Sequence, residues 1–309
     1  MFMGRGYTIF KQTLVVLSLR ARFASASIID DARFIFAFGD SYTSEGFNGK
    51  GDPLLPQNAV CSTAGPNWAR QFVDMVGHTQ LINLAVTNAT SDNGLLAGPP
   101  ADFRSQATTF LDFVTPEQVP WTKSNAIFII AFGANDVNNS YQRGPGNGTS
   151  LYSQDLDSYF ATVERLYAVG ARQFVFNNVV PFDRAQIGVS LGLAKQFKLR
   201  ESILEFNRQL SGKAASYCSS KTDIKCSIYD THTLFTHIME DYRTLGFATP
   251  NDFCVSYAAR TGCDVLPADS ACLGPVSAYI WKDDFHPSWA ADTMWARALV
   301  SQLSSSMFL

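Results

Sequence analysis

A serine near the start of the chain and a histidine near its end are residue types that can act as a nucleophile and its base. Ser41 follows the apolar run 34–38, and His286, one of only four histidines, lies in the late segment 279–287. A histidine can take the proton of a serine hydroxyl when a carboxylate holds its other ring nitrogen, Nδ1. Asp283, three residues before His286, is close enough on a loop to be that carboxylate. The sequence therefore predicts a Ser–His–Asp arrangement for nucleophilic catalysis, in the chain order Ser, Asp, His.

Two other patterns suggest competing chemistry. Residues 188–192 form a literal Gly-x-Ser-x-Gly with Ser190 at its centre, but residues 181–187 separate it from the preceding predicted strand. A nucleophile elbow should end a strand directly, so we predict a loop before a helix here. His232 and His237 suggest a metal, yet their five-residue spacing places them off a common helical face, unlike His-Glu-x-x-His. We predict a surface role for both.

The elements that must position these residues follow from hydrophobic patterning. The predicted strands are 34–38, 81–85, 126–132, 173–180 and 227–229. The predicted helices are 67–76, 105–114, 156–167, 193–215 and 288–303. Strands that alternate with helices predict an α/β fold, a three-layer α/β/α sandwich with a mostly parallel sheet of about five strands. Such sheets bind ligands at the carboxyl ends of their strands, where Ser41 would lie.

Three short blocks resemble the GDSL (SGNH) hydrolase family. Residues 39–42 (Gly-Asp-Ser-Tyr) look like its nucleophile block, residues 133–136 (Gly-Ala-Asn-Asp) like its Gly-x-Asn-Asp block, and residues 283–286 like its Asp-x-x-His block. The blocks occur in the family's order and span nearly the whole predicted mature chain. The resemblance implies a flavodoxin-like sheet order and hydrolysis of carboxylic esters through an acyl-enzyme.

The same resemblance implies a role for each matching residue. Ser41 would be the nucleophile, His286 the general base and Asp283 the carboxylate that orients it. The oxyanion hole would include the Ser41 backbone N–H and the Asn135 side-chain amide. No metal and no organic cofactor is implied.

The third oxyanion donor departs from the family pattern. The family usually has a glycine in the turn after the second strand, and Asn88 stands there in this chain. A backbone N–H can donate from any residue except proline, and Asn tolerates the left-handed conformation well. The predicted oxyanion hole is therefore Ser41, Asn88 and Asn135. Asn88 also begins a glycosylation sequon, which should stay empty if the residue lines the pocket. Sequons also begin at Asn138 and Asn147, and we expect a glycan at Asn147 because it follows a turn-rich loop.

The substrate is indicated by resemblance alone. The chain looks similar to secreted fungal acetylesterases of the carbohydrate-esterase branch, which implies short-chain, chiefly acetyl, esters of carbohydrates. A lipase-like esterase for longer acyl chains is the alternative, as is a non-catalytic carbohydrate-binding protein on the same fold. The loop 42–66 and Trp281 are the segments that could shape an acyl or sugar pocket.

The composition of the chain argues against two classes of binding partner. The 309 residues are 46% hydrophobic and 17% charged with a net charge of −3, and no basic stripe is present. Nucleic acid and anionic membrane surfaces are therefore poor partners. We expect a monomer without stable membrane insertion that acts on a small-molecule or carbohydrate ester. Residues 30–309 should form a single hydrolase domain with a cysteine-rich insertion around residues 250–275.

The termini and cysteines indicate secretion. In residues 1–26 an apolar run at 14–17 precedes the small-x-small sequence 24–26, as in a signal peptide, although Arg20 and Arg22 interrupt the segment. A disordered terminus is the alternative. Six cysteines without a Cys-x-x-Cys pair favour disulfides over zinc, and their pairing stays open. Buried free thiols are the alternative.

Overall fold

A central sheet of five parallel strands organises the molecule. A computed structural model describes residues 27–55, 57–98, 101–143 and 145–305, without the side chains of 145–149. The strands are β1 (Phe34–Gly39), β2 (Gln80–Asn83), β3 (Ala126–Ala131), β4 (Gln173–Asn177) and β5 (Lys225–Tyr229), in the order β2-β1-β3-β4-β5. This architecture confirms the predicted α/β fold. The expected signal segment 1–26 lies outside the described residues.

Helices cover both faces of the sheet. They are α1 (Ile28–Asp31), α2 (Trp68–Val76), α3 (Phe103–Phe113), α4 (Ala134–Asn138), α5 (Pro145–Ala168), α6 (Gln186–Val189), α7 (Leu193–Ser219), α8 (Thr231–Glu240), α9 (Val255–Ala258) and α10 (Trp289–Ser304). Short 3₁₀ turns occupy Tyr141–Arg143, Phe182–Arg184 and Val276–Ala278. One layer packs α3, α5 and α7 together, and the other packs α1, α2 and α8 around α10. No helix in the described part of the chain is long and apolar enough to cross a bilayer.

Aromatic side chains fill the two interfaces between sheet and helices. Alternate residues of a strand face the same side, so Phe36 and Phe38 of β1 both pack on α3. Their rings lie 4.9 Å from Phe110 and 5.6 Å from Phe103, in edge-to-face geometry. In the opposite layer Trp68 of α2 stacks on Trp295 of α10 at 4.8 Å. The Phe contacts fix β1 against α3, and the tryptophan stack holds α2 against α10 in the other layer.

Two glycines let the chain turn sharply at the carboxyl ends of β1 and β3, where the predicted site begins. A Cβ on Gly39 would lie 2.7 Å from the carbonyl oxygen of Ala131 in the neighbouring strand. Gly133 has a φ of +127°, and a Cβ there would strike the Phe206 ring. Glycine is required at both positions because no side chain fits and, at Gly133, the backbone conformation is strained for other residues. The residues that follow, Ser41 and Asn135, are thereby presented at the end of the sheet.

The observed elements differ from the predicted ones in several places. α5 begins at Pro145 instead of residue 156, β2 ends at Asn83 instead of residue 85, and α6 covers the start of the predicted loop 188–192. β4 ends at Asn177, short of Val180, because the Asn207 side chain takes over both backbone groups of Val179 at 2.8 Å. The helix α8 was not predicted. It begins at a cap in which the Asp230 side chain accepts the Thr233 N–H at 3.0 Å, and it buries Phe235 against the core.

All six cysteines form disulfides. The pairs are Cys61–Cys263, Cys218–Cys226 and Cys254–Cys272. Only the last lies wholly inside the segment 250–275. Cys61–Cys263 ties that segment to the loop 42–66, and Cys218–Cys226 joins the end of α7 to β5. The three disulfides thus cross-link three different pairs of segments.

Candidate active site

The end of β1 and the loop before α10 bring Ser41 and His286 together across 245 residues of sequence. Ser41 Oγ lies 2.8 Å from His286 Nε2, and His286 Nδ1 lies 3.0 Å from both carboxylate oxygens of Asp283. A carboxylate only accepts hydrogen bonds, so Nδ1 carries the ring proton and Nε2 accepts from the serine hydroxyl. Ser41 is 1% exposed and the His286 side chain 19% exposed. The ring is thus the more accessible member of the pair.

Asp283 is held as a carboxylate by its own loop. Burial disfavours its charge, but the hydrogen bond and charge of the His286 ring, with the backbone N–H groups of His286 and Phe285, outweigh this effect and lower the Asp283 pKa to about 2. Those N–H groups donate to Oδ1 at 2.6 and 2.9 Å. The buried Lys282 ammonium lies 3.3 Å from Oδ2. At neutral pH the group is ionised and can stabilise a protonated imidazole.

The loop that carries the histidine is closed on itself and tied to the serine. Lys282 N–H donates to the His286 carbonyl oxygen at 2.8 Å. The hydroxyl of Tyr42, the residue after Ser41, donates to the Phe285 carbonyl oxygen at 2.6 Å. Trp281 is fully buried, and its indole N–H donates to the Pro250 carbonyl oxygen at 3.1 Å. The expectation that Trp281 shapes a pocket was therefore wrong: its ring supports the loop from inside.

Asn88 and Asn135 follow the two strands that flank β1, which are β2 and β3. The Asn135 side-chain Nδ2 donates to the carbonyl oxygen of Ala89 at 3.0 Å, which joins the start of α4 to the turn after β2. Asn88 in that turn has a φ of +65°, the left-handed conformation that its residue type tolerates. Within the described residues, neither the Ser41 nor the Asn88 backbone N–H has a hydrogen-bond acceptor. Both N–H groups are therefore available to a ligand.

Two residues to which the sequence analysis gave no role stabilise the turn that carries Ser41. Gln106 of α3 accepts the Gly39 N–H at 3.0 Å and donates to the Gly39 carbonyl oxygen at 2.8 Å. Asp40 accepts the Tyr42 N–H at 3.0 Å. Burial and the charge of Asp136 raise the Asp40 pKa to about 7, against the hydrogen bond from Tyr42. Asp40 stands in the quoted motif, whereas nothing in the sequence marks Gln106.

The rival patterns are not assembled into sites. Ser190 is exposed at the end of α6, and its hydroxyl donates to the Ile187 carbonyl oxygen at 3.2 Å. His232 and His237 both lie on α8, with His237 exposed. No group of three potential metal ligands occurs among the residues described. Of the sequons, the Asn88 side chain is exposed and Asn138 is half-buried.

The chain resembles known proteins over nearly its whole length. A sequence model of the family described as GDSL-like lipase/acylhydrolase matches residues 35–299. An acetylesterase of Thermothelomyces thermophilus is 26% identical over 299 residues, covering 89% of this chain and 90% of the relative. An acetylesterase of Hypocrea jecorina is 24% identical over 321 residues, with the same two coverages.

A solved structure shares the fold. The crystal structure of an α/β hydrolase enzyme from the metagenome of Lake Arreo, Spain, matches with a TM-score of 0.50 at 14% identity. The match covers 89% of this chain and 97% of that one. At this level of identity the likeness concerns the arrangement of strands and helices.

Proposed function

The chain belongs to the GDSL-like lipase/acylhydrolase family and is a carboxylic ester hydrolase, and on that premise we propose that it cleaves acetyl and other short-chain esters of carbohydrates through an acyl-enzyme on Ser41. The observation that carries the proposal is the 2.8 Å contact between Ser41 Oγ and His286 Nε2, with Asp283 behind the ring. The two fungal relatives named acetylesterase support the acetyl preference.

In the proposed mechanism Ser41 is acylated with His286 acting first as a base and then as an acid. His286 Nε2 takes the proton from Ser41, and the alkoxide attacks the ester carbonyl carbon. The Ser41 and Asn88 backbone N–H groups and the Asn135 amide hold the negative oxygen of the tetrahedral intermediate. The imidazolium, stabilised by ionised Asp283, then protonates the leaving alcohol. Water, activated by the same imidazole, releases the acid and restores the serine.

A cavity of about 500 Å³ beside the loop 42–66 has a lining that suits a sugar, although neither Ser41 nor His286 lines it. Its walls combine the apolar ring of Phe47 with the ion pair between Glu45 and Arg70 and the side chain of Asn83. A sugar presents both hydroxyl groups and apolar C–H faces, so a mixed lining suits it.

A lipase-like activity on longer acyl chains is the second candidate. An apolar cavity of about 770 Å³ lies between α5 and α7, with Tyr152, Leu193 and Phe197 among its lining residues, although neither Ser41 nor His286 lines it. Leu193 is 86% exposed and Phe197 62% exposed. A long acyl chain placed there would remove apolar surface from water, which is favourable in proportion to the area covered.

An acyl-chain series separates these candidates. We expect kcat/KM to be highest for p-nitrophenyl acetate, to fall through butyrate and octanoate, and to extend to acetylated xylo-oligosaccharides. A serine-directed inhibitor should abolish the activity and label Ser41. A maximum at octanoate or palmitate would establish the lipase-like alternative. A protein that hydrolyses none of these esters and resists labelling would be the carbohydrate-binding alternative.

Secretion belongs to the same proposal. Three disulfides suit an oxidising compartment, and the apolar run 14–17 with the small residues 24–26 fits a cleaved signal. Expression in a secreting yeast, followed by amino-terminal sequencing of protein from the medium, should find a start near residue 27. Retention in the cells with Met1 in place would contradict it.

A further inference from the structure

Two buried carboxyl groups meet behind the candidate oxyanion hole. Asp136 of α4 and Asp155 of α5 are fully buried, and each carboxyl group is close enough to the other to shift its pKa. Asp136 Oδ1 also accepts the Ser91 backbone N–H at 2.8 Å. No N–H or O–H of another described residue reaches Asp136 Oδ2 or either oxygen of Asp155. Two ionised carboxylates cannot bond to each other, so this contact needs a proton on one of them.

Among the described residues, none of the charges that act on the pair is positive, so none could replace that proton. The titratable groups that interact electrostatically with the pair are Asp40, Asp92, Tyr152 and Tyr159. Arg104 lies 3.4 Å from Asp92, but it approaches from the solvent side, with about half of its own side chain exposed. The pair is therefore enclosed by neutral or negative groups.

The proton belongs on Asp155. Burial, the charge of Asp136, the hydrogen bond between the two and the charge of Asp92 raise the Asp155 pKa well above its ordinary value. Burial raises the Asp136 pKa too, but the hydrogen bonds from Asp155 and the Ser91 N–H oppose it. Asp155 is thus the donor and Asp136 the acceptor.

The accepting carboxylate stands between the two parts of the oxyanion hole. Asp136 follows Asn135 directly, and Ser91 is three residues after Asn88. The bond from Ser91 N–H to Asp136 therefore fixes the turn 88–91 against α4, beside the bond from Asn135 to the Ala89 carbonyl oxygen at 3.0 Å. A second negative charge on the pair would push Asp136 away from Asp155 and disturb both bonds.

We propose that Asp155 is a positioning residue: protonated, it donates to Asp136 and so keeps the turn 88–91 and Asn135 in register as one oxyanion-binding unit. This inference rests on the proposed function of Ser41. Oxyanion donors act chiefly in the transition state, so a displaced pair lowers kcat and leaves KM almost unchanged.

The test compares two substitutions at one position. Asp155→Asn keeps a neutral donor toward Asp136, and we expect kcat within about 3-fold of the wild type, with activity persisting at higher pH because no proton can be lost. Asp155→Ala removes the donor, and kcat should fall about 10- to 100-fold at unchanged KM, less than the loss of an oxyanion donor itself. Asp157→Asn, an exposed position on the same helix, is the matched control and should behave as wild type.

Infrared spectroscopy tests the proton without relying on catalysis. The spectrum of the wild type minus that of Asp155→Asn should contain the C=O band of a buried protonated carboxylic acid at neutral pH. Absence of that band overturns the proposal, even if Ser41 proves to be the nucleophile. A folded Asp155→Asn variant as slow as Asp155→Ala, or an Asp155→Ala variant with wild-type kcat, also overturns it. If Ser41→Ala remained active, the proposed function would fail while the infrared result stood.

Discussion

The reactivity of the Ser41 hydroxyl depends on a single acceptor, the His286 Nε2 atom 2.8 Å away. The ring nitrogen can accept only because Asp283 holds the proton on Nδ1. Asp283 itself is kept ionised by backbone N–H groups of its own loop. Three hydrogen-bonded groups thus set the chemistry of the site. Asp283 orients the His286 ring, and the ring accepts the hydrogen bond of the Ser41 hydroxyl.

Replacing the nucleophile gives the most direct prediction. Ser41→Ala should lose roughly 10⁴-fold or more in kcat on p-nitrophenyl acetate, because no alkoxide can form. Ser190→Ala is the matched control, since Ser190 belongs to the literal Gly-x-Ser-x-Gly but lies exposed on α6. It should keep wild-type kcat. The reverse pattern would move the active site to α6.

Asp40 predicts a pH dependence of stability. Its pKa is raised to about 7 by burial and by Asp136, so the folded state favours the protonated form. Its stabilising contribution is fully present below the pKa of the unfolded chain and is lost as pH rises through 7. Asp40→Asn keeps an acceptor for the Tyr42 N–H and cannot ionise.

Urea unfolding of the two proteins at pH 4 and at pH 8 measures this effect. Relative to Asp40→Asn, the wild type should lose up to about 4 kcal/mol of unfolding free energy between these pH values. Equal pH dependence in the two proteins would show that Asp40 ionises normally in the folded state.

Single residues also show how far sequence reasoning reaches. Ser41, Asp283 and His286 were named because they stand in short blocks with a chemical rationale, and the structure places the three side chains in contact. Gln106 and Asp155 carry no such mark. Each is an ordinary polar residue in a helix, and its importance arises only when folding buries it against a backbone group or another carboxyl group.

At the level of elements, the loop before α10 is positioned by Tyr42, the residue that follows Ser41. The Tyr42 hydroxyl donates to Phe285, and its ring lies 5.4 Å from that of His286. The turn after β1 therefore carries Ser41 and also restrains the loop that carries His286.

Tyr42→Phe tests this connection by removing one hydroxyl group. We expect the unfolding free energy to fall by about 1 kcal/mol and kcat to fall several-fold, because the imidazole is less well held. Tyr167→Phe removes a hydroxyl that bonds Asp223 at the surface and serves as the control. Unchanged kcat in Tyr42→Phe would mean that the loop needs no support from β1.

Strands and helices with a strong hydrophobic pattern were predicted correctly. Those whose formation depends on tertiary contacts were missed. The strands β1 and β3 are continuous apolar runs and lie where the pattern predicted them. α8 is rich in threonine and histidine, which are weak helix formers. Its formation depends on the Asp230 cap and on the burial of Phe235, neither of which a local pattern reveals.

At the scale of the whole molecule, Cys61–Cys263 closes a far longer loop than the other disulfides. It spans 202 residues, against 18 for Cys254–Cys272. A longer closed loop removes more conformational entropy from the unfolded chain. The link also fastens the loop 42–66, beside the nucleophile, to the late segment 250–275.

Removing each link in turn tests this difference. Cys61→Ser with Cys263→Ser should lower the unfolding free energy by about 5 kcal/mol, and Cys254→Ser with Cys272→Ser by about 3 kcal/mol. Urea titration of both double variants measures the order. A larger loss for the shorter link would show that native contacts outweigh loop length here. The sequence alone left all pairings open, because pairing depends on which distant segments the fold brings together.

The wide separation of Ser41 and His286 has a consequence for biosynthesis. A ribosome releases Ser41 245 residues before His286, so over that stretch the growing polypeptide carries the serine without its histidine partner. On the proposed mechanism, hydrolytic competence arises only once the loop with His286 has docked. Labelling by a serine-directed phosphonate should therefore report that synthesis has passed His286 and that this loop has folded.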